Sequence, residues 1–302
     1  MDTRLLRSFL AVVRTGGITA AAAELSYVQS TVTAHVQSLE RQLGTRLLDR
    51  SASGAVTTGA GERLAEHARQ VLDLEDRLVA ELADADRTPA GPVRLAAPES
   101  VCAYRLPPVF AEVADRLPDV RLSLRPAATR AAVTALGDRG ADLALIFEPS
   151  LADDGLDTVD LGAQRMSLIA APTTDLPRQR RITTAELAAT GTLLLEEGCS
   201  YSDELAARLP GDPPRFGSVE TVKRCVESGL GVALLPTATV ESELAHGSLV
   251  ELRPPRTSAQ HLWLVHSRKR WLSPAVRAVH SILTTALGTT SAGAARGNRD
   301  AG

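Results

Sequence analysis

Between residues 28 and 43 the chain interleaves two kinds of side chain at helical spacing. Gln29, Ser30, Thr31, Thr33, His35, Gln37 and Ser38 are short hydrogen-bonding residues, while Val28, Val32, Val36, Leu39 and Leu43 recur every three or four positions as one apolar face. Short donors and acceptors on the open face of a helix can reach base edges and phosphate oxygens in a major groove. Gln29 stands near the helix start, where a recognition helix meets bases, and Ala34 sits among the polar residues of the same face. Downstream, Leu47 to Thr57 reads as a small β-wing around the turn Ser51-Ala52-Ser53-Gly54, with Arg50 placed to meet a phosphate backbone or a minor groove and Thr57 at its far end.

A second polar group lies where apolar strands give way to helices. Pro98-Glu99-Ser100 follows the strand Val93–Ala97, with Val101 opening the helix behind it. Ala128-Thr129 follows the strand Val120–Leu124, and Phe147 ends the strand Ala141–Phe147. Gly198-Cys199-Ser200-Tyr201 stands at the matching place further along. Hydroxyls at Ser100, Thr129 and Ser200, with helix-start N–H groups behind them, favour a small anion such as a carboxylate. Glu99 works in the other direction, because an ionised acid repels an anion or selects an amine. Glu99, Ser100, Val101, Thr129, Phe147, Cys199, Ser200 and Tyr201 are therefore the candidate ligand-binding residues.

Catalysis is not expected. There is no Gly-x-Ser-x-Gly elbow and no phosphate-binding glycine loop. The three cysteines (Cys102, Cys199, Cys225) and six dispersed histidines form no disulfide framework or metal spacing. No catalytic residue, metal or cofactor is expected.

The elements that must position these residues follow from periodicity. Leu5, Leu6, Phe9, Leu10, Val12 and Val13 make a first amphipathic helix that stops at Gly16-Gly17. The run Ala20 to Ala23 makes a short second helix whose small side chains let another helix cross closely. Residues 58–86 contain no proline and carry Leu64, Ala68, Val71, Leu74, Leu78 and Leu82 as one stripe on a long helix, ended by the hinge Asp86 to Pro92. Beyond it strands and helices alternate. A helix is expected over Val101–Leu117 and another over Arg130–Leu136. Further strands are expected near 164–171, 192–195, 215–219 and 232–236, helices near 183–189, 202–208, 221–228 and 237–245, and a last helix from Ser273 to Leu287 that returns to the first lobe.

The order Phe9, Ala20-Ala21-Ala22, Leu25, Gln29, Leu39-Glu40, Leu43-Gly44, Leu47-Leu48, Arg50, Thr58-Gly59-Ala60-Gly61 resembles the N-terminal signature of the LysR-type transcriptional regulators. Val219 to Lys223 followed by Gly229 to Pro236 also resembles that family. Two positions depart from it: Ser30 stands where many members have proline, and Ala34 where many have arginine. With so little charge on the third helix, phosphate affinity is expected mainly from Arg50, helix N-termini and dimerisation.

The resemblance implies an α/β chain: an all-α winged helix-turn-helix over 1–58, a dimerisation helix and hinge over 59–91, and a two-lobed periplasmic-binding-protein-like (type 2) effector domain over 92–288. Lobe I would be residues 92–161 with 267–288, lobe II residues 162–266, and residues 289–302 a disordered tail. It implies binding to double-stranded DNA at an interrupted inverted repeat, a small-molecule effector between the lobes, self-association as dimer or tetramer, and contact with RNA polymerase. The alternative is a thiol-based redox sensor using Cys199, after the peroxide-sensing branch of the family. The next cysteine, Cys225, falls inside a predicted helix rather than at a resolving position.

Composition agrees. The 302 residues are 44% hydrophobic and 23% charged, ordinary for a globular protein, with a net charge of -3. Residues 1–60 hold six arginines (Arg4, Arg7, Arg14, Arg41, Arg46, Arg50) against four acids (Asp2, Glu24, Glu40, Asp49), a net of +2 ahead of an acidic remainder. No membrane-length apolar run occurs and the N-terminus lacks the apolar block of a signal peptide, so a cytoplasmic location is expected.

Overall fold

The computed structural model describes residues 2–51, 54–82 and 88–294. The chain divides into two compact units, Met1–Arg87 with Asp138–Gly140, and Thr88–Gly137 with Ala141–Gly302.

In the first unit, α1 (Thr3–Thr15) is capped by the Asp2 carboxylate, which accepts from the Arg4 N–H, and ends at Gly16 as its sequence requires. Helix α2 (Ile18–Glu24) presents Ala21 and Ala22 to the core, and α3 (Gln29–Leu43) buries Val32, Val36 and Leu39. These join Leu6, Phe9 and Val12 of α1 in one core, where full burial of each large side chain contributes about 1.5–3 kcal/mol. Val28 and Leu43, expected on the same buried face, are exposed. Val28 is the extended residue before the helix and Leu43 is its last, so neither lies over the core. Strands β1 (Leu48–Ser51) and β2 (Gly54–Thr57) pair antiparallel as the wing. The turn residues 52–53 and part of the hinge, 83–87, lie outside the described residues.

Helix α4 (Gly59–Leu82) carries two apolar faces rather than the single expected stripe. Ala65, Ala68 and Leu72 pack into the core of their own unit. Leu74, Leu78 and Leu82 are 67%, 53% and 78% exposed, with Val71 and Val79 beside them. Arg7 pairs with Glu75 and Asp76, which fixes α4 against α1.

The second unit opens with β3 (Gly91–Ala97), α5 (Glu99–Tyr104), α6 (Pro107–Arg116), β4 (Val120–Pro126), α7 (Thr129–Gly137), β5 (Leu143–Glu148) and β6 (Leu156–Gln164). The helix expected to run unbroken from Val101 to Leu117 is two, because Pro107 and Pro108 cannot continue α5 and instead start α6. The chain then builds β7 (Met166–Ala170), α8 (Thr184–Thr190), β8 (Leu194–Leu195), α9 (Ser200–Ala206), β9 (Arg215–Phe216), α10 (Val219–Glu227), β10 (Ala233–Pro236), α11 (Glu241–His246) and β11 (Val250–Leu252). It closes with β12 (Gln260–Ser267) and α12 (Pro274–Ala294).

Lobe I is a five-stranded sheet in the order β4-β3-β5-β12-β6, with β3 parallel to β4 and β5, and β12 antiparallel to β5 and β6. Residues 162–164 at the end of β6 and residues 260–266 of β12, all expected in lobe II, belong to this sheet instead. In β12 the alternation of buried Gln260, Leu262 and Leu264 with half-buried His261 and Trp263 marks a strand that shorter apolar runs obscured. Strand β5 is buried on both faces: Leu143, Leu145 and Phe147 enter one core cluster, Ala144 and Ile146 another. Lobe II holds the three-stranded sheet β10-β7-β11 and the parallel pair β8-β9. Helix α12 returns to lobe I as expected, burying Ala275, Val276, Val279, Ile282, Leu283 and Leu287. It continues to Ala294, past the expected start of the tail at 289, and residues 295–302 lie outside the described residues.

Candidate functional site

On α3 the buried residues Val32, Val36 and Leu39 set which side chains face outward. Gln29, Ser30 and Ala34 are exposed, and Thr31, Thr33, His35 and Ser38 are half-buried along the same helix. Not all of this face is free. The Thr33 hydroxyl donates to the Gln29 carbonyl at 2.9 Å, and His35 Nδ1 shares a 2.7 Å hydrogen bond with the buried Ser8 hydroxyl of α1. His35 is therefore held from inside and offers only the rest of its ring outward. The backbone of Arg50 pairs with Ala55, and Thr57, half-buried, pairs with Leu48. The side chain of Arg50 lies outside what the structure describes.

Glu40 and Thr58, both in the N-terminal signature, hold the wing against α3 and α4. Glu40 Oε1 accepts from the Leu47 N–H at 2.9 Å and from the Leu48 N–H at 3.4 Å, so one carboxylate fixes where β1 begins. Thr58 caps α4 through its hydroxyl, which accepts from the Gly61 N–H at 3.0 Å, while its own N–H donates to the Leu47 carbonyl. A Cβ on Gly61 would stand 2.1 Å from the Leu47 oxygen, so only glycine fits this crossing.

In the second unit a cleft forms between the lobes. Lobe I supplies Pro98, Glu99 and Ser100 at the end of β3, Ala128 and Thr129 at the start of α7, and Phe147 from β5. Lobe II supplies Leu195 at the end of β8, Glu196 just after it, then Cys199 as the cap of α9 and Ser200 and Tyr201 in its first turn. The lobes stand nearly closed on one another here, leaving about 10 Å³ that a water molecule could occupy. Gly198, at φ +85°, lets the lobe II loop come close to Ala128 and Arg130; a Cβ there would meet the Arg130 Cβ at 3.2 Å.

Seven of the eight expected residues line this cleft. Val101 does not: it packs into the lobe I core, because the first turn of α5 aims it inward beside Leu106 and Val109. Glu196 is a lining residue that sequence reasoning missed. Its place directly after an apolar strand and before Gly198 was the available signal.

The polar groups of the cleft are largely engaged within the protein. The Thr129 hydroxyl donates to the Phe147 carbonyl at 3.1 Å, and the Ser200 hydroxyl to Gln260 Oε1 at 2.9 Å. Glu99 Oε2 accepts from the Val219 N–H at 3.3 Å, joining lobe I to the start of α10. Ser100 differs: it is 3% exposed and its Oγ has no partner. Burial holds the Glu99 carboxyl above the usual range; the Val219 N–H opposes the shift, and the charges of Glu196 and Glu220 add to it. Burial also pushes the Cys199 thiol up to about 11 and the Cys102 thiol up to about 12.

Behind the cleft a second contact joins the lobes. Lys223 of α10 donates to the Tyr104 hydroxyl of α5 at 3.0 Å and pairs with Glu243 at 2.5 Å and Glu220 at 3.1 Å. Burial works against the Lys223 charge, but hydrogen bonds to Glu243, Tyr104 and Glu220 outweigh it and raise its pKa.

Among the described residues no single helix is long and apolar enough to cross a membrane. Residues 3–62 match the family model described as "Bacterial regulatory helix-turn-helix protein, lysR family", and residues 86–288 that of the "LysR substrate binding domain". The chain is 30% identical over 285 residues to the uncharacterized HTH-type transcriptional regulator YwqM of Bacillus subtilis, covering 92% of this chain and 97% of that one. It is 31% identical over 261 residues to a probable hydrogen peroxide-inducible genes activator of Mycobacterium leprae, covering 83% of each. Among solved structures, full-length OxyR from Pseudomonas aeruginosa shares the fold, with a TM-score of 0.71 at 21% identity over 95% of this chain and 94% of that one. With both family domains in order, a helix-turn-helix ahead of a two-lobed ligand-binding domain, the chain belongs to the LysR family of bacterial transcriptional regulators, DNA-binding proteins rather than enzymes.

Proposed function

We propose that this regulator reads an interrupted inverted repeat in double-stranded DNA near its target promoters, using Gln29, Ser30, Thr31, Thr33, Ala34, His35, Ser38, Arg50 and Thr57. The observation that carries this reading is the exposed start of α3. Gln29 and Ser30 face solvent on a helix whose other face is locked into the core by Val32, Val36 and Leu39. Self-association as a dimer or tetramer through α4 is supported by the exposed Val71, Leu74, Leu78, Val79 and Leu82. A small carboxylate-bearing effector enters the cleft at Ser100, changes how the lobes close, and so alters DNA bending and contact with RNA polymerase in the cytoplasm.

Gel shifts of the purified protein on DNA upstream of its own gene, across a salt series, test the DNA half of this proposal. Salt-sensitive and sequence-selective binding, weakened by Gln29→Ala and Arg50→Ala in proteins that keep their fold, is the expected result. Binding that is equal on unrelated sequences would remove the assignment of α3 as reader.

A thiol-based reading has two observations behind it, the place of Cys199 in the cleft lining and the likeness to a probable hydrogen peroxide-inducible genes activator. Against it, Cys199 is buried with its pKa near 11, so at neutral pH it is a protonated thiol, a poor nucleophile toward peroxide. Small-molecule sensing is the reading adopted.

A further inference from the structure

The cleft is lined by two carboxylates, one from each lobe: Glu99 at the start of α5 and Glu196 after β8. No lysine or arginine is among its lining residues. Two acids that share a narrow, water-poor space repel; Lys223 offsets part of this at Glu99 but is not among the lining residues. A lone anion entering here would add a third negative charge. Its best-placed donor is the Ser100 hydroxyl, since those of Thr129 and Ser200 are already given to Phe147 and Gln260.

Resting on the reading of this cleft as the effector site, we propose that the effector is a zwitterion of amino-acid type. Glu99 and Glu196 hold its ammonium group, and Ser100 donates to its carboxylate. An ammonium offers three donors with no acceptor, which suits two carboxylates from opposite walls. Glu99 keeps one oxygen for this purpose while the other accepts from the Val219 N–H. The buried, unpartnered Ser100 hydroxyl is the group that a bound carboxylate would satisfy. The raised pKa of Glu99 agrees, because a bound cation relieves the burial and the repulsion behind it. Since each lobe supplies one acid, the ligand's charge itself would draw the two lobes together.

The test uses the full-length protein and three probes for each compound: the free amino acid, its 2-oxo acid, and the decarboxylated amine. Thermal unfolding screens the set, and calorimetry measures affinity for any that raise the midpoint. At least one amino acid should stabilise the protein, with its 2-oxo acid and its amine each binding about tenfold or more weakly. Glu99→Gln and Glu196→Gln should each weaken that amino acid about tenfold or more, and Ser100→Ala about threefold or more. Circular dichroism confirms that the variants are folded. A 2-oxo acid that binds as well as its amino acid, or unchanged affinity in both glutamine variants, overturns the zwitterion and leaves small-molecule sensing in place. Failure of every compound, anion or amine, to move either unfolding or the DNA shift overturns both.

Discussion

The polar residues of α3 and those of the cleft are similar in kind and opposite in condition. On α3, Gln29 and Ser30 lie in solvent, on a helix anchored by three core residues and by Glu40 at its far end. In the cleft, Thr129, Ser200 and Glu99 already have protein partners, while the buried Ser100 hydroxyl is unpaired. The first surface can dock with little rearrangement of its own backbone. The second has to exchange internal hydrogen bonds for ligand bonds, and a ligand acts there by its preference for one arrangement of the lobes over another. Rigidity serves the reader, and internal competition serves the sensor.

That contrast can be broken most severely at Gly61. Gly61→Ala drives a Cβ into the Leu47 carbonyl and should destabilise the N-terminal unit by about 3 kcal/mol, visible as an early transition in thermal unfolding. An unchanged transition would mean that the crossing of α4 over β1 gives way easily and the head is not rigid. Glu40→Ala tests the same rigidity more gently. Losing the acceptor for two wing N–H groups should cost about 1.5–3 kcal/mol and weaken DNA binding with the fold kept. Gln29→Ala, which touches nothing in the core, should leave unfolding alone and cost about 1–3 kcal/mol in binding to the cognate site. Loss on all sequences equally would make Gln29 a phosphate contact instead.

The smallest expected effect is a pH dependence in the cleft. Glu99 is held above the usual carboxylate range by burial, with Glu196 and Glu220 adding to the shift and the Val219 N–H and Lys223 opposing it. The folded state therefore binds this proton more tightly than the unfolded state, and stability falls as pH rises from the ordinary carboxylate range through the raised value. Glu99→Gln removes that loss. The variant should match the wild type at about pH 4 and exceed it at about pH 7. A constant difference between them at both would show that the charge of Glu99 is not under strain.

Legibility in the sequence followed the range of the signal. Helices α1 to α3 come from contiguous periodicity and from breakers such as Gly16 and Gly44, all local, and they lie where the spacing placed them. The split of α5 from α6 is also local, written in Pro107 and Pro108, but the apolar periodicity runs on across the break and masks it. Strand β12 was harder, because its membership in lobe I depends on partners more than a hundred residues earlier, Phe147 and Val159 among them. In the cleft, strand ends pointed to Glu99, Ser100, Thr129 and Ser200, since helix starts after strands gather at one edge of a sheet. Which hydroxyls were already engaged depended on Gln260 and the Phe147 carbonyl, contacts that no local pattern contains. Val101 went astray for a related reason: adjacency to Ser100 in sequence says nothing about which way a helix turns its side chains.

The position of β12 also bears on the order in which the protein can be assembled during synthesis. In lobe I this strand separates β5 from β6, and it is the neighbour through which β6 joins the sheet. A growing chain that has released residues 88–164 therefore has the parallel core β4-β3-β5 with an open edge, and a β6 that cannot yet join it. The whole of lobe II must emerge before Gln260–Ser267 can close the gap. Until then the unpaired edge of β5, one of the most apolar strands in the protein, is open to the wrong partner. A ribosome-arrested chain ending shortly before residue 260 should thus be the most aggregation-prone length of this protein, and one ending after α12 among the least.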